Sequence, residues 1–273
     1  MKVGLIGCGN IGTVVAKAID DGEVPNTQLI CVYDKTRENA EKLIATLKGK
    51  PVIEESVLGC VNQGVEVVVE AASQAALMEH LTSLLKKGVS VLAMSAGALL
   101  DEKLIREVRL ASAASGARVY VPSGAIAGLD GLKSASCGRI DEVALTSIKP
   151  IRSLKGNEYL SKQGINVDSC KRERVVFEGF AKEAAAYFPK SINVCAALSL
   201  AGIGAEKTKV TIILDPNASR IRHIVSVRGA FGEFTVEVNN IPSSNNPKTS
   251  YLASLSAIAT LRNLTQTGLD IGT

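Results

Sequence analysis

Over roughly the first 120 residues, short continuous apolar runs alternate with longer stretches whose apolar residues recur three and four apart. Lys2–Ile6 is one such run, and Val14, Val15, Ala18 and Ile19 then fall on one face of a helix over residues 13–20. Residues 28–33 read as a second strand, 39–47 as a helix and 52–53 as a short strand. Residues 65–70 form an apolar run of the kind buried on both faces of a parallel sheet. A helix over 75–87 is stopped by Gly88 and followed by a strand over 90–94. Asp101 is placed to cap a helix from Glu102 to Ser115, and residues 118–121 are the next strand. Strands alternating with helices in this way predict a doubly wound parallel sheet.

After Pro122 the pattern changes. Residues 123–132 are rich in Gly and Ala, 142–148 alternate as a strand does, and 171–176 read as another strand. Helices are expected over 182–188 and 193–201. Three strands follow, over 209–214, 223–228 and 232–239, separated by turn residues at Asp215-Pro216-Asn217 and at Gly229. Strands that succeed one another without long helices indicate a separate α+β unit. A last helix is expected over 247–264, with Pro247 in its first turn. The expected division is therefore a first domain over 1–123, a second over 124–239, and a segment over 240–273 whose helix is expected to pack back on the first domain, a return suggested by chains of similar layout and not by periodicity.

Composition narrows the classes. With 273 residues, 46% hydrophobic and 21% charged, the chain can bury a core, which excludes dominant disorder. A net charge of +4 is too dilute to argue for nucleic acid, and the absence of Trp with only 4% aromatics argues against a base-stacking platform. The longest apolar stretches fall short of the roughly 18 residues a membrane span needs. The start, Met1-Lys2-Val3-Gly4-Leu5-Ile6-Gly7, has no export-type apolar region, so the expected location is the cytoplasm. Cysteines at 8, 31, 60, 137, 170 and 195 form no Cys-x-x-Cys pair and read as reduced, mostly buried thiols, with no metal site.

The chemistry begins at Gly7-Cys8-Gly9-Asn10-Ile11-Gly12, which follows a strand and opens a helix, with Asp34 closing the next strand 22 residues after Gly12. That context makes a dinucleotide fingerprint of a Rossmann domain from a motif that is weak alone. Gly7 permits the turn, Gly9 lets a pyrophosphate approach, and Gly12 lets helix and strand pack. The helix N-terminus, at Asn10 and Ile11, offers N–H groups to phosphate. Asp34 suits the ribose hydroxyls and so favours NAD, while Lys35 and Arg37 leave NADP open as a second cofactor. Taken singly, each of these two cations reads more simply as part of a solvated loop. Ala72 and Ser73, beyond the strand ending at Glu70, and Ser95-Ala96-Gly97-Ala98 read equally as the lining of the cofactor path and as ordinary tight connections.

Two histidines are present. His80 lies in a helix among leucines and reads as a surface helix residue. His223 lies at a loop-to-strand junction, where a group titrating near neutrality suits proton transfer with an amine or water, although a satisfied structural histidine would look the same. Tyr159 and Lys162 have the wrong spacing for a Tyr-x-x-x-Lys pair, and neither Gly-x-Ser-x-Gly nor His-Glu-x-x-His occurs.

At full length the chain resembles the L-aspartate dehydrogenases, the short archaeal and bacterial type associated with NAD biosynthesis. The resemblance rests on residues 4–12, on Val69-Glu70-Ala71-Ala72-Ser73, and on Pro122-Ser123-Gly124-Ala125-Ile126-Ala127-Gly128-Leu129-Asp130. It continues through the Phe188-Pro189…Asn193-Val194 motif, the 215–223 segment, and Asn246-Pro247-Lys248-Thr249-Ser250. It implies that His223 is catalytic and that Ala125 and Asn193 contact the nicotinamide cofactor. Lys190-Ser191-Ile192 departs mildly from the family pattern. The implied reaction is NAD(P)-dependent oxidation of L-aspartate to iminoaspartate, which hydrolyses to oxaloacetate and ammonia or passes to a quinolinate-forming enzyme. The resemblance also implies a homodimer through the sheet of a second, substrate-binding and dimerisation domain. The two substrate carboxylates would need cationic or N–H partners, which the sequence does not identify. The rivals are homoserine dehydrogenase and dihydrodipicolinate reductase, which would show a lysine or paired-histidine site, and a non-catalytic dinucleotide sensor, which would not require His223.

Overall fold

A computed structural model describes the chain except for residues 189–191, 244, 245, 267, 268, 270 and 273. It divides into two compact units, one built from Met1–Pro122 and the last helix from Ser254, the other from Ser123–Ala253. Residues 240–253, expected with the returning segment, thus belong to the second unit.

The first unit holds β1 (Lys2–Ile6), α1 (Asn10–Asp20), β2 (Gln28–Tyr33), α2 (Arg37–Ala45), β3 (Val52–Ile53), α3 (Val57–Asn62), β4 (Val67–Glu70), α4 (Gln74–Lys86), β5 (Ser90–Ala93), α5 (Glu102–Ser115) and β6 (Val119–Tyr120). The six strands pair in the order β3-β2-β1-β4-β5-β6, all parallel. That is the order of a dinucleotide-binding sheet, with its switch point between β1 and β4. Every residue of β4 is buried, as a central parallel strand requires. Leu77, Leu81, Leu84 and Leu85 of α4 pack with Leu104, Val108 and Ala111 of α5 over Val68 and Val91 of the sheet. Each such leucine contributes about 1.5–3 kcal/mol by leaving water. Helix α3 is not visible as a periodic pattern because it is one short turn and a half containing a glycine. Its start is set by Ser56, whose hydroxyl accepts from Gly59 N at 3.1 Å.

The second unit holds α6 (Leu129–Ala135), β7 (Ile140–Lys149), α7 (Ile151–Leu154), α8 (Glu158–Lys162), β8 (Arg174–Phe180), α9 (Ala181–Tyr187), α10 (Ile192–Ala201), β9 (Lys209–Leu214), β10 (Ile221–Gly229), β11 (Gly232–Asn240), β12 (Pro242–Ser243) and β13 (Asn246–Ser250). Its five-stranded sheet has the order β11-β10-β7-β9-β8, parallel only between β7 and β9. Val143 and Leu145 of β7, Val225 and Val227 of β10, and Val210, Ile212 and Leu214 of β9 share one core with Leu132 of α6, Ala181 and Ala184 of α9, and Leu198 of α10. The alternation of β7 carries this inward row on through Ser147 to Lys149, and that of β10 carries it to His223.

The strand expected over 171–176 forms three residues later, at β8. The final helix, α11 (Tyr251–Thr265), begins four residues after Pro247. Pro247 lies instead in β13, which pairs with β12 in a two-stranded ribbon, a setting where a missing N–H is tolerated. On the first unit, α11 is tied down by Arg262, whose Nε donates to Glu23 O at 2.6 Å. Among the described residues no helix is long and apolar enough to cross a membrane.

Candidate active site

The carboxyl ends of the central strands are stitched together by backbone. Gly7 N donates to Tyr33 O at 2.8 Å, Ala71 N to Ile6 O at 2.8 Å, and Met94 N to Glu70 O at 2.9 Å. In this frame the three fingerprint glycines have separable roles. Gly7 has φ +92°, and a Cβ there would lie 2.7 Å from the backbone of Ala71 and Ala72. A Cβ on Gly12 would lie 2.0 Å from Gly7 O, so α1 can approach β1 only without one. A Cβ on Gly9 would meet nothing within 4 Å, which leaves the space a pyrophosphate needs. Gly9 caps α1 without a side chain, and no acidic residue follows in the first turn, so the positive end of the helix dipole faces the turn uncancelled. These features fit a dinucleotide.

The contrast between two of these glycines is testable. Gly12→Ala should cost about 1–3 kcal/mol of stability, because a backbone oxygen cannot step aside as a side chain can. Gly9→Ala should unfold as the parent does in denaturant while binding NAD at least about tenfold more weakly by fluorescence titration, a loss of about 1.4 kcal/mol.

Asp34 is half-buried, and its carboxylate accepts from Cys8 N at 2.7 Å, Thr36 N at 2.9 Å and Asn39 Nδ2 at 3.2 Å. It therefore braces the glycine turn. Arg37 is held by Glu41 at 3.0 Å and by Glu55, whereas Lys35 is exposed. Of the two cations expected near a 2′-phosphate, only Arg37 must leave carboxylates to reach one. Burial, with the Asp34 charge second, pushes the Cys8 thiol up to about 12, so it is inert within the turn.

Ala72 and Ser73 present their N–H groups to Glu70 Oε1, at 2.8 and 3.0 Å. The same carboxylate accepts from Ser95 Oγ at 2.9 Å and Ser95 N at 3.1 Å. Burial raises the Glu70 pKa, and these four donors oppose that rise. Glu70 therefore locks together the two loops that could line the cofactor path. The sequence shows it only as the end of a strand, since its partner Ser95 is 25 residues away.

In the second unit, His223 is buried and its Nδ1 lies 2.8 Å from Ser147 Oγ. The register of β7 and β10 places the two directly opposite. Burial, with the Lys149 charge second, lowers the His223 pKa to about 3, so the ring is neutral near pH 7. Lys149, two residues along β7 from Ser147, is itself buried, and burial lowers its ammonium to about 8. Cys195 of α10 acts on Lys149, and burial raises that thiol to about 11. Lys149 is thus a buried lysine close enough to the neutral His223 to act on its charge, a placement that the sequence alone did not reveal. Ala125 is held through its carbonyl by Asn240 Nδ2 at 3.0 Å, and Asn240 Oδ1 in turn accepts from Ser250 Oγ. Asn193 is exposed in the first turn of α10, and Pro189, Lys190 and Ser191 before it lie outside the described residues. His80 lies on α4 with Glu79 at 3.7 Å, away from any such cluster. Among the described residues no group of His, Cys, Asp and Glu is arranged to hold a metal ion.

Comparison with known proteins adds an independent line. A family model described as the NAD-binding domain of homoserine dehydrogenase matches residues 7–122, and one described as the C-terminal domain of aspartate dehydrogenase matches residues 130–264. The chain is 44% identical to the L-aspartate dehydrogenase of Nitrosopumilus maritimus over 100% of this chain and 99% of that one. It is 44% identical to the L-aspartate dehydrogenase of Methanococcoides burtonii over 100% of both. The crystal structure of aspartate dehydrogenase from Thermotoga maritima matches with a TM-score of 0.75 at 32% identity, covering 99% of each chain. The homoserine dehydrogenase likeness is confined to the nucleotide half, and the half that carries His223 matches the aspartate enzyme.

Proposed function

The chain belongs to the L-aspartate dehydrogenase family, and from that premise we propose that it oxidises L-aspartate at its amine-bearing carbon, with NAD preferred and NADP as the alternative acceptor. The product is iminoaspartate, which takes up water and releases ammonia to leave oxaloacetate. The observation that carries this reading is the neutral, buried His223 held by Ser147 within the half that matches the aspartate enzyme.

NAD, when bound, supplies the hydride acceptor. The Gly7–Gly12 turn and the start of α1 would hold its pyrophosphate, and Asp34 would accept from the ribose. Ala72 and Ser73, fixed by Glu70, would line the path, and Ala125 and Asn193 would touch the nicotinamide end. The substrate amine must lose a proton before hydride can leave its carbon. In the tautomer that donates Nδ1–H to Ser147, His223 Nε2 carries the lone pair that takes this proton, and the same atom later serves the attacking water. A pKa near 3 makes the free ring a weak base. Two arriving carboxylates favour the protonated form and raise its basicity, so the base is strengthened by the substrate itself.

Two copies are proposed to pair through the sheet of the second unit. The face opposite the helices carries half-buried Ala144, Thr146, Ile213, Ile224 and Ser226, small and medium side chains flanked by the Lys209–Glu142 and Arg222–Glu237 ion pairs, a mixed surface that can pair with a second copy of itself. The enzyme is proposed to work in the cytoplasm and to pass some iminoaspartate to a quinolinate-forming enzyme.

The test is the initial rate of reduced-cofactor formation with NAD or NADP and a panel of amino acids. Turnover confined to L-aspartate is expected. Activity on homoserine instead, or on nothing, overturns the proposal.

A further inference from the structure

Aspartate differs from most amino acids in its second carboxylate, and a dehydrogenase that selects it needs a cation for that group. Several exposed cations of the second unit are held in surface ion pairs. Arg139 faces Asp141, Lys155 faces Asp168, Lys209 faces Glu142 and Arg222 faces Glu237, each with more than a third of its side chain in water. In such settings an ion pair contributes little discrimination. Lys149 differs from them in its burial. Among the described residues it is the only lysine or arginine that is buried, at 4% exposure.

Its place in the fold is equally particular. Ser147 and Lys149 lie on the same inward face of β7, and His223 lies directly opposite Ser147 on β10. Lys149 is therefore a diagonal neighbour of His223, at a backbone spacing of about 7–8 Å that long side chains bridge readily. In L-aspartate the amine and the side-chain carboxyl carbon are separated by three bonds. That short separation would allow a substrate whose amine meets His223 to extend its far carboxylate to the Lys149 ammonium.

We propose that Lys149 receives the side-chain carboxylate of the substrate and thereby sets the preference for a dicarboxylic amino acid, a reading that rests on the aspartate dehydrogenase function proposed above. The electrostatics agree. The ammonium has been desolvated at a cost in stability, so a bound carboxylate near it is screened little by water and counts for more than at the surface. The same carboxylate offsets the positive field that helps keep His223 neutral. Binding the correct substrate therefore tunes the base, whereas an amino acid without the second carboxylate leaves it weak.

The experiment compares the parent with Lys149→Met and Lys149→Arg. It uses L-aspartate and L-asparagine as substrates, NAD binding by fluorescence, and succinate binding by thermal shift. For Lys149→Met the expected result is a fall of about 100-fold or more in kcat/KM for L-aspartate, carried mainly by KM. The aspartate-to-asparagine ratio should collapse, NAD binding should be unchanged, and succinate should no longer raise Tm. Lys149→Arg should retain part of the ratio, because charge and not shape is read. A ratio unchanged in Lys149→Met overturns the proposal, even if overall activity has fallen. Should Lys149→Met fail to fold, the parent alone decides. Succinate affinity should weaken about tenfold per pH unit above about 8, where the Lys149 ammonium titrates, while Cys195 at about 11 and His223 at about 3 do not. Succinate affinity that is flat across that window overturns the proposal. If the parent binds succinate through Lys149 but never oxidises aspartate, the functional reading falls and the carboxylate site stands.

Discussion

Replacing His223 with alanine is expected to lower kcat for L-aspartate by about 10²- to 10⁴-fold while NAD still binds, because a positioned proton acceptor contributes on that scale. The fingerprint glycines and Asp34 belong to the first unit, and His223 belongs to the second. Removing the imidazole thus leaves the pyrophosphate turn untouched. The buried Ser147 hydroxyl would lose its partner at 2.8 Å, so some stability goes with the ring, about 1–3 kcal/mol. Two readouts separate chemistry from folding. NAD titration should match the parent, and added imidazole should restore part of kcat by entering the vacated space. Turnover undiminished in the variant would show that another group moves the proton, and the non-catalytic sensor reading would gain ground if the parent were silent as well.

The second large effect is acid sensitivity traced to the same residue. The unfolded chain binds a proton at His223 near the ordinary value of 6.5, whereas the folded chain resists until about 3. Between those values the unfolded state holds the extra proton, so stability climbs as pH rises and is lost as pH falls. With about 1.4 kcal/mol for each pH unit, the loss at full protonation is about 4–5 kcal/mol. That is comparable to the whole stability of many domains. Carboxylates titrate in part of the same range, so the parent alone does not isolate the histidine. His223→Asn keeps a polar group beside Ser147 but cannot take up the proton. Its denaturation midpoints between pH 3 and 6.5 should vary much less than those of the parent. Equal pH dependence in the two proteins would mean that the ring is solvated in the folded state.

What the chain order makes legible is what lies close along it. The turn from Gly7 to Gly12, the strand before it, the helix after it and Asp34 are one contiguous supersecondary unit. Each of its physical demands, on backbone angle, close approach and charge, is met by a residue type that can be read directly. The parallel sheet follows from alternating periodicities, and His223 stands out because histidine is scarce and titrates near neutrality. Where expectations slipped, a tertiary partner overrode a local preference. Pro247 reads as the first turn of a helix, yet pairing of β13 with β12 holds its segment extended.

The rest depended on register and on long-range contact. Lys149 is one of many lysines until β7 and β10 are aligned, which sets Ser147 opposite His223 from 76 residues away and places Lys149 beside them out of water. Glu70 is the end of a valine strand until β5 brings Ser95 to it. Asn240 is a strand terminus until its amide reaches Ala125, 115 residues earlier. The chain by itself therefore determined the glycine turn, because local geometry and residue chemistry suffice for it, and it singled out His223 as a candidate base without separating that role from a structural one. Only the tertiary structure decided which hydroxyl, carboxylate and ammonium surround them, because desolvation and hydrogen bonding depend on which strands become neighbours.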